Sequence, residues 1–272
     1  MKNIVEHDTL TDKDHQRVAT FMNEEAGIQL PKNKRNLIET RLRKRQRMLK
    51  CRSLSHYIDY ALADTNSEQL HFIDALTTNK TEFFREASHY PFYIDYISAQ
   101  HPSTVRVWSA GCSSGEEPYT LAILAEEHAS TSVSIHATDI STSMLQRANR
   151  AVYTHDSAAP IPLHLRKKYL LRRKTETADE IKIAPSPRKR VTFEPFNLIT
   201  GHYASLSPFD IIFCRNVMIY FNAAQRENIV RQFCRCLKPG GLLFIGHSET
   251  LNNEKAMFSS IAPTVYRREG GQ

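Results

Sequence analysis

Glycine is scarce in this chain, with nine in 272 residues against a usual share of about 7%. Each glycine therefore marks a place where the backbone has a special task. Long apolar runs are absent. The stretches at Phe209–Cys214 and Leu242–Ile245 are strand-sized and far from the ~18 residues a membrane span needs. The first residues, Met-Lys-Asn-Ile-Val-Glu-His-Asp, carry acids where a secretory signal would need an apolar core, so secretion by that route is not expected. The five cysteines, Cys51, Cys112, Cys214, Cys234 and Cys236, are odd in number and show no C-x-x-C spacing. A disulfide framework and a zinc site are thus not expected, and a reduced cytosolic protein is. With 41% hydrophobic and 24% charged residues, the composition argues against a disordered chain, and the length fits one or two domains.

Charge is unevenly spread. Between Lys32 and Arg52 stand ten basic residues and one acid, Glu39, a net of +9, which leaves −2 for the rest of a chain whose total is +7. Like charges at i,i+4 repel, so such a helix is either a costly solvated face or a surface for an acidic partner. Nucleic acid, an anionic membrane and an acidic protein surface all fit that description.

Residues 10–78 read as helices. Thr11-x-x-Asp14 opens the first like a capping box, Val18, Phe21 and Met22 share a face, and Gly27 suits the C-cap. A second helix follows Pro31 with Ile38, Leu42 and Leu49 on one stripe, flanked by Leu37 and Met48. A third opens at Ser53 with Leu54, Tyr57, Ile58 and Leu62, and a fourth carries Leu70, Ile73 and Leu76. From about residue 104 strands alternate with helices: strands at Val105–Ala110, Val133–Thr138, Val191–Phe193, Phe209–Cys214 and Leu242–Ile245, and helices over 121–129, 141–151 and 223–237. Lys238-Pro239-Gly240-Gly241 reads as the stop of the last helix. This rhythm predicts an α/β fold with a parallel, doubly wound, Rossmann-like sheet. The stretch 155–190, charged, with four prolines and no glycine, reads as an inserted small β subdomain. The expected division is a helical domain at 1–78, a linker at 79–103 that contributes to the site, and a catalytic domain at 104–272.

Two of the nine glycines fall in Ala110-Gly111-Cys112-Ser113-Ser114-Gly115-Glu116-Glu117, directly after the first strand. A small-residue turn there lets a ligand approach the backbone at the carboxyl end of the sheet. Asp139 ends the next strand, where a carboxylate can accept both ribose hydroxyls. A dinucleotide would require G-x-G-x-x-G spacing and a phosphate on the helix N-terminus. Here Glu116 and Glu117 occupy that end, repelling phosphate and suiting the cationic amino and sulfonium groups of S-adenosylmethionine.

Five segments then resemble one family: Leu76-Thr-Thr-Asn-Lys-Thr-Glu-Phe-Phe-Arg-Glu86, Ser109-Ala-Gly-Cys-Ser-Ser-Gly-Glu-Glu-Pro-Tyr119, Ala137-Thr-Asp-Ile140, Phe213-Cys-Arg-Asn-Val-Met-Ile-Tyr-Phe221 and Leu237-Lys-Pro-Gly-Gly-Leu-Leu-Phe-Ile-Gly-His-Ser-Glu249. They are similar to the CheR-type chemotaxis receptor methyltransferases, which methylate receptor glutamates with S-adenosylmethionine, leaving S-adenosylhomocysteine. The resemblance implies cofactor contacts at Asn79, Thr81, Arg85, Glu117, Asp139, Asn197, Leu198, Arg215 and Asn216. It places Tyr220 beside the transferred methyl, so Arg85 and Tyr220 are the expected catalytic pair. It lays the cationic helix, with Arg41, Arg43, Lys44, Arg45 and Arg47, against the cytoplasmic methylation helices of chemoreceptors. It further implies a cytoplasmic enzyme, recruited to receptor arrays at the inner membrane for sensory adaptation, with no metal, nucleic acid or membrane insertion.

A receptor glutamate, with an ordinary pKa of about 4.3, is ionised at neutral pH and needs no general base. The absence of a His/Asp or Cys/His constellation agrees with that. In some members the inserted subdomain holds a receptor C-terminal peptide, and those members have glycines in its tight turn. Here Leu171-Arg-Arg-Lys-Thr-Glu-Thr-Ala-Asp-Glu-Ile181 has none, so no peptide tether is expected unless Thr177-Ala178-Asp179 forms a turn of another type. Two other functions fit the basic helix and the cofactor loop: a nucleic-acid methyltransferase gripping phosphates, and a non-catalytic, cofactor-sensing module that docks on a receptor.

Overall fold

The structure, a computed structural model, describes residues 9–63, 67–99, 104–173, 179–206, 208–251 and 257–270. The first four helices are α1 (Asp12–Ala26), α2 (Arg35–Met48), α3 (Leu54–Leu62) and α4 (Glu68–Leu76). Thr11 caps α1 by accepting the Asp14 N–H at 3.1 Å, and Ser53 caps α3 in the same way through His56. Gly27 ends α1 in the left-handed region at φ 68, and a Cβ there would stand 2.7 Å from Ile199 and 2.8 Å from Phe221. The glycine thus serves two needs: a turn that L-residues resist, and a close approach between the helices and the sheet.

Val18, Met22, Ile38, Leu42, Tyr57, Ile58, Phe72 and Leu76 form the bundle's core. Leu37, Met48, Leu49 and Leu70, expected on or beside apolar stripes, are instead exposed. Leu49 falls past the end of α2, and Phe72 takes the buried position that spacing alone gave to Leu70. Inside this bundle Glu68, 4% exposed, accepts Arg45 Nε and Nη2 at 2.7 Å each and the Tyr57 hydroxyl at 3.0 Å.

The rest of the chain runs α5 (Tyr90–Ser98), β1 (Val105–Ala110), α6 (Glu116–His128), β2 (Val133–Asp139), α7 (Thr142–Arg150), β3 (Val152–Thr154), α8 (Leu163–Tyr169), β4 (Leu170–Arg172), β5 (Glu180–Ile183), α9 (Pro185–Lys189), β6 (Val191–Pro195), β7 (Phe209–Cys214), α10 (Ala223–Cys236), β8 (Leu237–Ile245), β9 (Phe258–Ala262) and β10 (Val265–Arg268). The main sheet has seven strands in the order β6-β2-β1-β7-β8-β10-β9. The first five are parallel, and β10 lies antiparallel to both β8 and β9. The sheet is therefore mixed, not wholly parallel. Its last two strands, Phe-Ser-Ser-Ile-Ala and Val-Tyr-Arg-Arg, are short and half-polar and give no apolar run to read.

Three further boundaries differ from expectation. α6 begins at Glu116, directly after Gly115 at φ 96, where a longer loop was expected. α5 lies inside the expected linker. Lys238–Gly241 does not merely stop α10 but belongs to β8: Leu237 pairs with Phe209 and Leu242 with Ile211, so the four residues between them bulge across Asp210 alone. Lys238 Nζ holds the Asp210 carboxylate there at 2.8 and 2.9 Å. The inserted region forms a second, three-stranded antiparallel sheet in the order β3-β5-β4, whose first strand begins at Val152, ahead of the expected boundary at 155. The expected turn at Thr177-Ala178-Asp179 rests on residues 174–178, which lie outside the described residues.

Strand order reverses at β1, between β2 and β7, and the carboxyl ends of strands at such a point form the crevice in which doubly wound sheets bind ligands. The helical bundle closes over that crevice. Asn197 Nδ2 donates to the Glu25 carbonyl, the Ser143 N–H to Asp74 Oδ2 at 3.1 Å, and the Gln29 N–H to the Tyr220 carbonyl at 3.4 Å.

Burial alone would raise the Glu68 pKa, yet the bonds from Arg45 and Tyr57 hold it below the ordinary carboxylate value. A depressed folded-state pKa gives stability that is present above the unfolded value and lost as pH falls through the folded one. Glu68→Ala should lower unfolding stability by about 3 kcal/mol, because it strands the partly buried Arg45. It should also flatten the acid limb of a stability curve measured below pH ~4. Denaturant melts read by circular dichroism across that range check both effects.

Candidate active site

The cleft between bundle and sheet encloses about 1270 Å³, part of it open to solvent. Each strand delivers its residues from its carboxyl end: Gly111, Ser113 and Glu117 after β1, Asp139 as the last residue of β2 with Ile140 after it, Phe196–Leu198 after β6, and Arg215–Val217 with Tyr220 after β7. The opposite wall comes from Lys34, Leu37 and Arg41 of the bundle and from the segment Leu76–Glu82 with Arg85. All nine expected cofactor residues and Tyr220 line this one cleft. Of the five expected docking residues only Arg41 does.

Asp139 is 7% exposed, and its two carboxylate oxygens accept the backbone N–H groups of Ser113 at 2.7 Å and Ser141 at 2.8 Å. Burial pushes its pKa up, and those two amides partly oppose the rise. The acid therefore shapes the glycine loop as well as facing the cleft. Gly111, at φ 82, has no room for a side chain: a Cβ would lie 2.5 Å from Val217, itself a lining residue. Of the two glutamates at the start of α6, Glu117 borders the cleft. Glu116 is buried and bonded to Ser114, its pKa raised by burial, so only Glu117 of the pair reaches the cleft.

Arg215 organises the floor. Its Nε donates to Glu117 Oε2 at 2.7 Å and its Nη1 to the Arg85 carbonyl at 2.7 Å, while Nη2 reaches the Tyr90 hydroxyl at 3.4 Å. Ser109 donates to the second Glu117 oxygen at 2.6 Å. Burial disfavours the guanidinium, but Glu117 and Tyr90 overcome that and keep Arg215 charged. The same carbonyl of Arg85 accepts the Tyr90 hydroxyl at 2.8 Å, Thr120 accepts the Phe84 N–H, and Ser113 donates to the Asn79 carbonyl. The segment 79–85 is thus fastened to the sheet along its length. The Arg85 side chain is half-buried on the cleft wall, with Nη1 donating to the Lys80 carbonyl at 3.2 Å.

The cationic helix is less uniform than its sequence. Arg41 Nη1 donates to the carbonyls of Leu76 and Thr77, both at 3.0 Å, closing the C-terminus of α4. Arg43 pairs with Glu39, and Arg45 with the buried Glu68. Arg41, Arg43 and Arg45 are therefore bound within the molecule and do not form one open docking face with the others. Lys44 and Arg47 are exposed. Lys34, Leu37, Lys80 and Glu82 also line the cleft without having been assigned to the site from the sequence: the rotation of α2 decides that Leu37 faces inward, and the path of the segment after α4 brings in Lys80 and Glu82.

The residues present fit a nucleoside that also carries a cationic group. The carboxylates of Asp139, Glu117 and Glu82 line the cleft, Gly111 borders it, and Asn216 Oδ1 is a buried acceptor with no hydrogen-bond partner among the described residues. Among the described residues no helix is long and apolar enough to cross a membrane.

Comparison with known proteins gives the same outline. The family model "CheR methyltransferase, all-alpha domain" matches residues 13–77, and "CheR methyltransferase, SAM binding domain" matches residues 79–267. The chain is 37% identical to the chemotaxis protein methyltransferase of Klebsiella aerogenes, over 94% of this chain and 90% of that protein. It is 36% identical to that of Escherichia coli, covering 94% and 91%, and 35% identical to chemotaxis protein methyltransferase 2 of Pseudomonas aeruginosa, covering 94% and 93%.

Asp139→Ala should weaken S-adenosylhomocysteine binding ten- to hundred-fold in a folded protein, the effect of losing charge-assisted hydrogen bonds worth about 1.5–3 kcal/mol. Titration calorimetry checks the affinity, and a thermal melt checks that the loop anchored on Ser113 and Ser141 has not collapsed.

Proposed function

The chain belongs to the CheR family of S-adenosylmethionine-dependent methyltransferases that act in chemotaxis, and on that premise we propose that it methylates glutamate side chains on the cytoplasmic methylation helices of chemoreceptors. The observation that carries this reading is the convergence of Arg85 and Tyr220 on the cleft that also holds Asp139, Glu117 and Asn216. A carboxylate substrate is anionic, and the bundle and linker wall that it would meet carries Lys34, Arg41, Lys80 and Arg85.

S-adenosylmethionine, when bound, supplies a methyl on a cationic sulfur, which passes to a carboxylate oxygen while the bonding pair stays on sulfur. Asp139 and Glu117 hold the cofactor. Asn79, Thr81, Asn197, Leu198, Arg215 and Asn216 complete the cradle. Arg85, anchored through its own carbonyl, orients the substrate carboxylate by charge, and Tyr220 fixes the approach beside the methyl. A substrate glutamate is already ionised at neutral pH, so the site does its work by alignment and by stripping water from opposite charges. The half-buried position of Arg85 and Tyr220 suits that task.

Docking falls to the exposed part of α2, where Lys44 and Arg47 are free to meet acidic residues on a receptor helix. The glycine-free stretch 171–181 supports direct recognition of the methylation helices without a C-terminal peptide tether. The enzyme then works in the cytoplasm at receptor arrays.

Incubating the protein with tritiated S-adenosylmethionine and receptor-bearing membranes tests the reading. Base-labile label on membrane protein is expected; base-stable label, or label in nucleic acid, would refute it. Reversing Lys44 and Arg47 to Glu together should cut receptor methylation at least tenfold while leaving S-adenosylhomocysteine affinity unchanged, and added salt should reproduce the loss. These two residues are the informative pair, since reversing Arg41 or Arg43 would also break contacts inside the bundle.

A further inference from the structure

We propose that Glu86 is a positioning residue, which fixes the Asn216 side-chain amide and the Arg85 backbone for cofactor binding. The proposal rests on the reading of the cleft as the S-adenosylmethionine site. Glu86 takes no direct part in that reading, yet it joins three loops. Its Oε1 accepts Asn216 Nδ2 from the loop after β7 and the His247 N–H from the loop after β8, both at 3.1 Å. Its Oε2 lies 3.8 Å from Arg215 Nη1, the same nitrogen that donates to the Arg85 carbonyl.

The chemistry of the pair fixes a direction. Burial would raise the Glu86 pKa, but His247, Asn216 and Arg215 hold it below the ordinary value, so the group is a carboxylate that only accepts. Asn216 must therefore turn its NH₂ toward Glu86 and its Oδ1 away from it. That Oδ1 is the buried acceptor without a partner, on a residue that lines the cleft. A buried acceptor left unmatched is costly, and a ligand N–H or O–H would satisfy it. Were the amide free to flip, it would offer a donor where the cofactor brings donors of its own.

Unusual backbone geometry gathers at the same contact. Phe84 at φ 56, Glu86 at φ 53 and Asn216 at φ 60 all stand in the left-handed region without being glycine. Such conformations persist only where neighbouring structure over-determines them, and they gather at functional sites. Arg85 sits between two of them. His89, whose Nδ1 can only accept from Arg215 Nη1 at 3.4 Å, is pushed down to about 4 by burial and by that cation, so it is neutral and leaves the pair to Glu86 and Arg215. Glu86, His89 and His247 bring metal-ligand-type atoms within 4.8 Å of one another, but the fixed charge of Arg215 beside them opposes a cation.

Titration calorimetry with S-adenosylhomocysteine on the full chain tests the coupling. Glu86→Ala and Asn216→Ala should each weaken binding about tenfold, and the double variant should be no more than about twofold worse than either, because one acts through the other. A merely structural Glu86 would give losses that multiply to about a hundredfold, and that result overturns the proposal. Glu86→Gln keeps the side chain's volume and serves if the alanine variant does not fold. Its own amide no longer dictates which end of Asn216 faces it, so at least a threefold loss is expected. Parental affinity in Glu86→Gln or Glu86→Ala overturns the proposal alone, whereas no binding by the parent protein overturns the cofactor reading and the proposal with it.

Discussion

A single buried cation holds the site together. Arg215 is 7% exposed, and taking a guanidinium out of water is expensive unless every face of it is answered. Here Glu117 answers the charge, the Arg85 carbonyl and the Tyr90 hydroxyl answer the donors, and the rings of Tyr90 and Phe213 lie 5.7 and 5.6 Å from its Cζ. The partners come from three parts of the chain: Glu117 from the first turn of α6, Arg85 and Tyr90 from the segment between the bundle and β1, and Phe213 from β7. Burying the cation therefore fixes the linker against the sheet, and with it the far wall of the cleft.

That arrangement explains how the two walls of one cleft can come from separate parts of the chain. The bundle touches the sheet through small, specific contacts: Gly27 against Ile199 and Phe221, Asp74 at the start of α7, and Asn197 on the end of α1. The segment 79–85 then crosses between them, pinned by Ser113, Thr120 and Arg215. Strain sits in the same place. Ser113 and Asn216 line the cleft in the left-handed region, and Phe84 and Glu86 flank Arg85 in it.

Much of this was legible in the sequence, for physical reasons. The strands β1 and β7 are buried along nearly their whole length and read as mostly apolar runs, and the Gly111–Gly115 turn sits where scarce glycines are informative. Short motifs such as Phe-Phe-Arg-Glu and Cys-Arg-Asn carried the site residues, and these converge on one cleft. The C-terminal strands β9 and β10 were not legible, because short strands with half-polar sequences give no apolar run. Nor was the fate of the arginines on α2. A run of cations says nothing of Glu68, twenty-three residues on, or of the α4 carbonyls that Arg41 closes. Helix composition gives the charge; only the packing shows which charges remain available.

If Arg215 sets the linker, then geometry matters and not charge alone. Lysine at that position keeps a cation, but its three N–H donors leave one nitrogen and cannot span Glu117, the Arg85 carbonyl and Tyr90 as the three guanidinium nitrogens do. The direct measurement is S-adenosylhomocysteine affinity of Arg215→Lys by calorimetry, with a thermal melt to confirm folding. A loss of tenfold or more in a folded protein is the expected result. Affinity equal to that of the parent protein would contradict the central role of this one buried guanidinium.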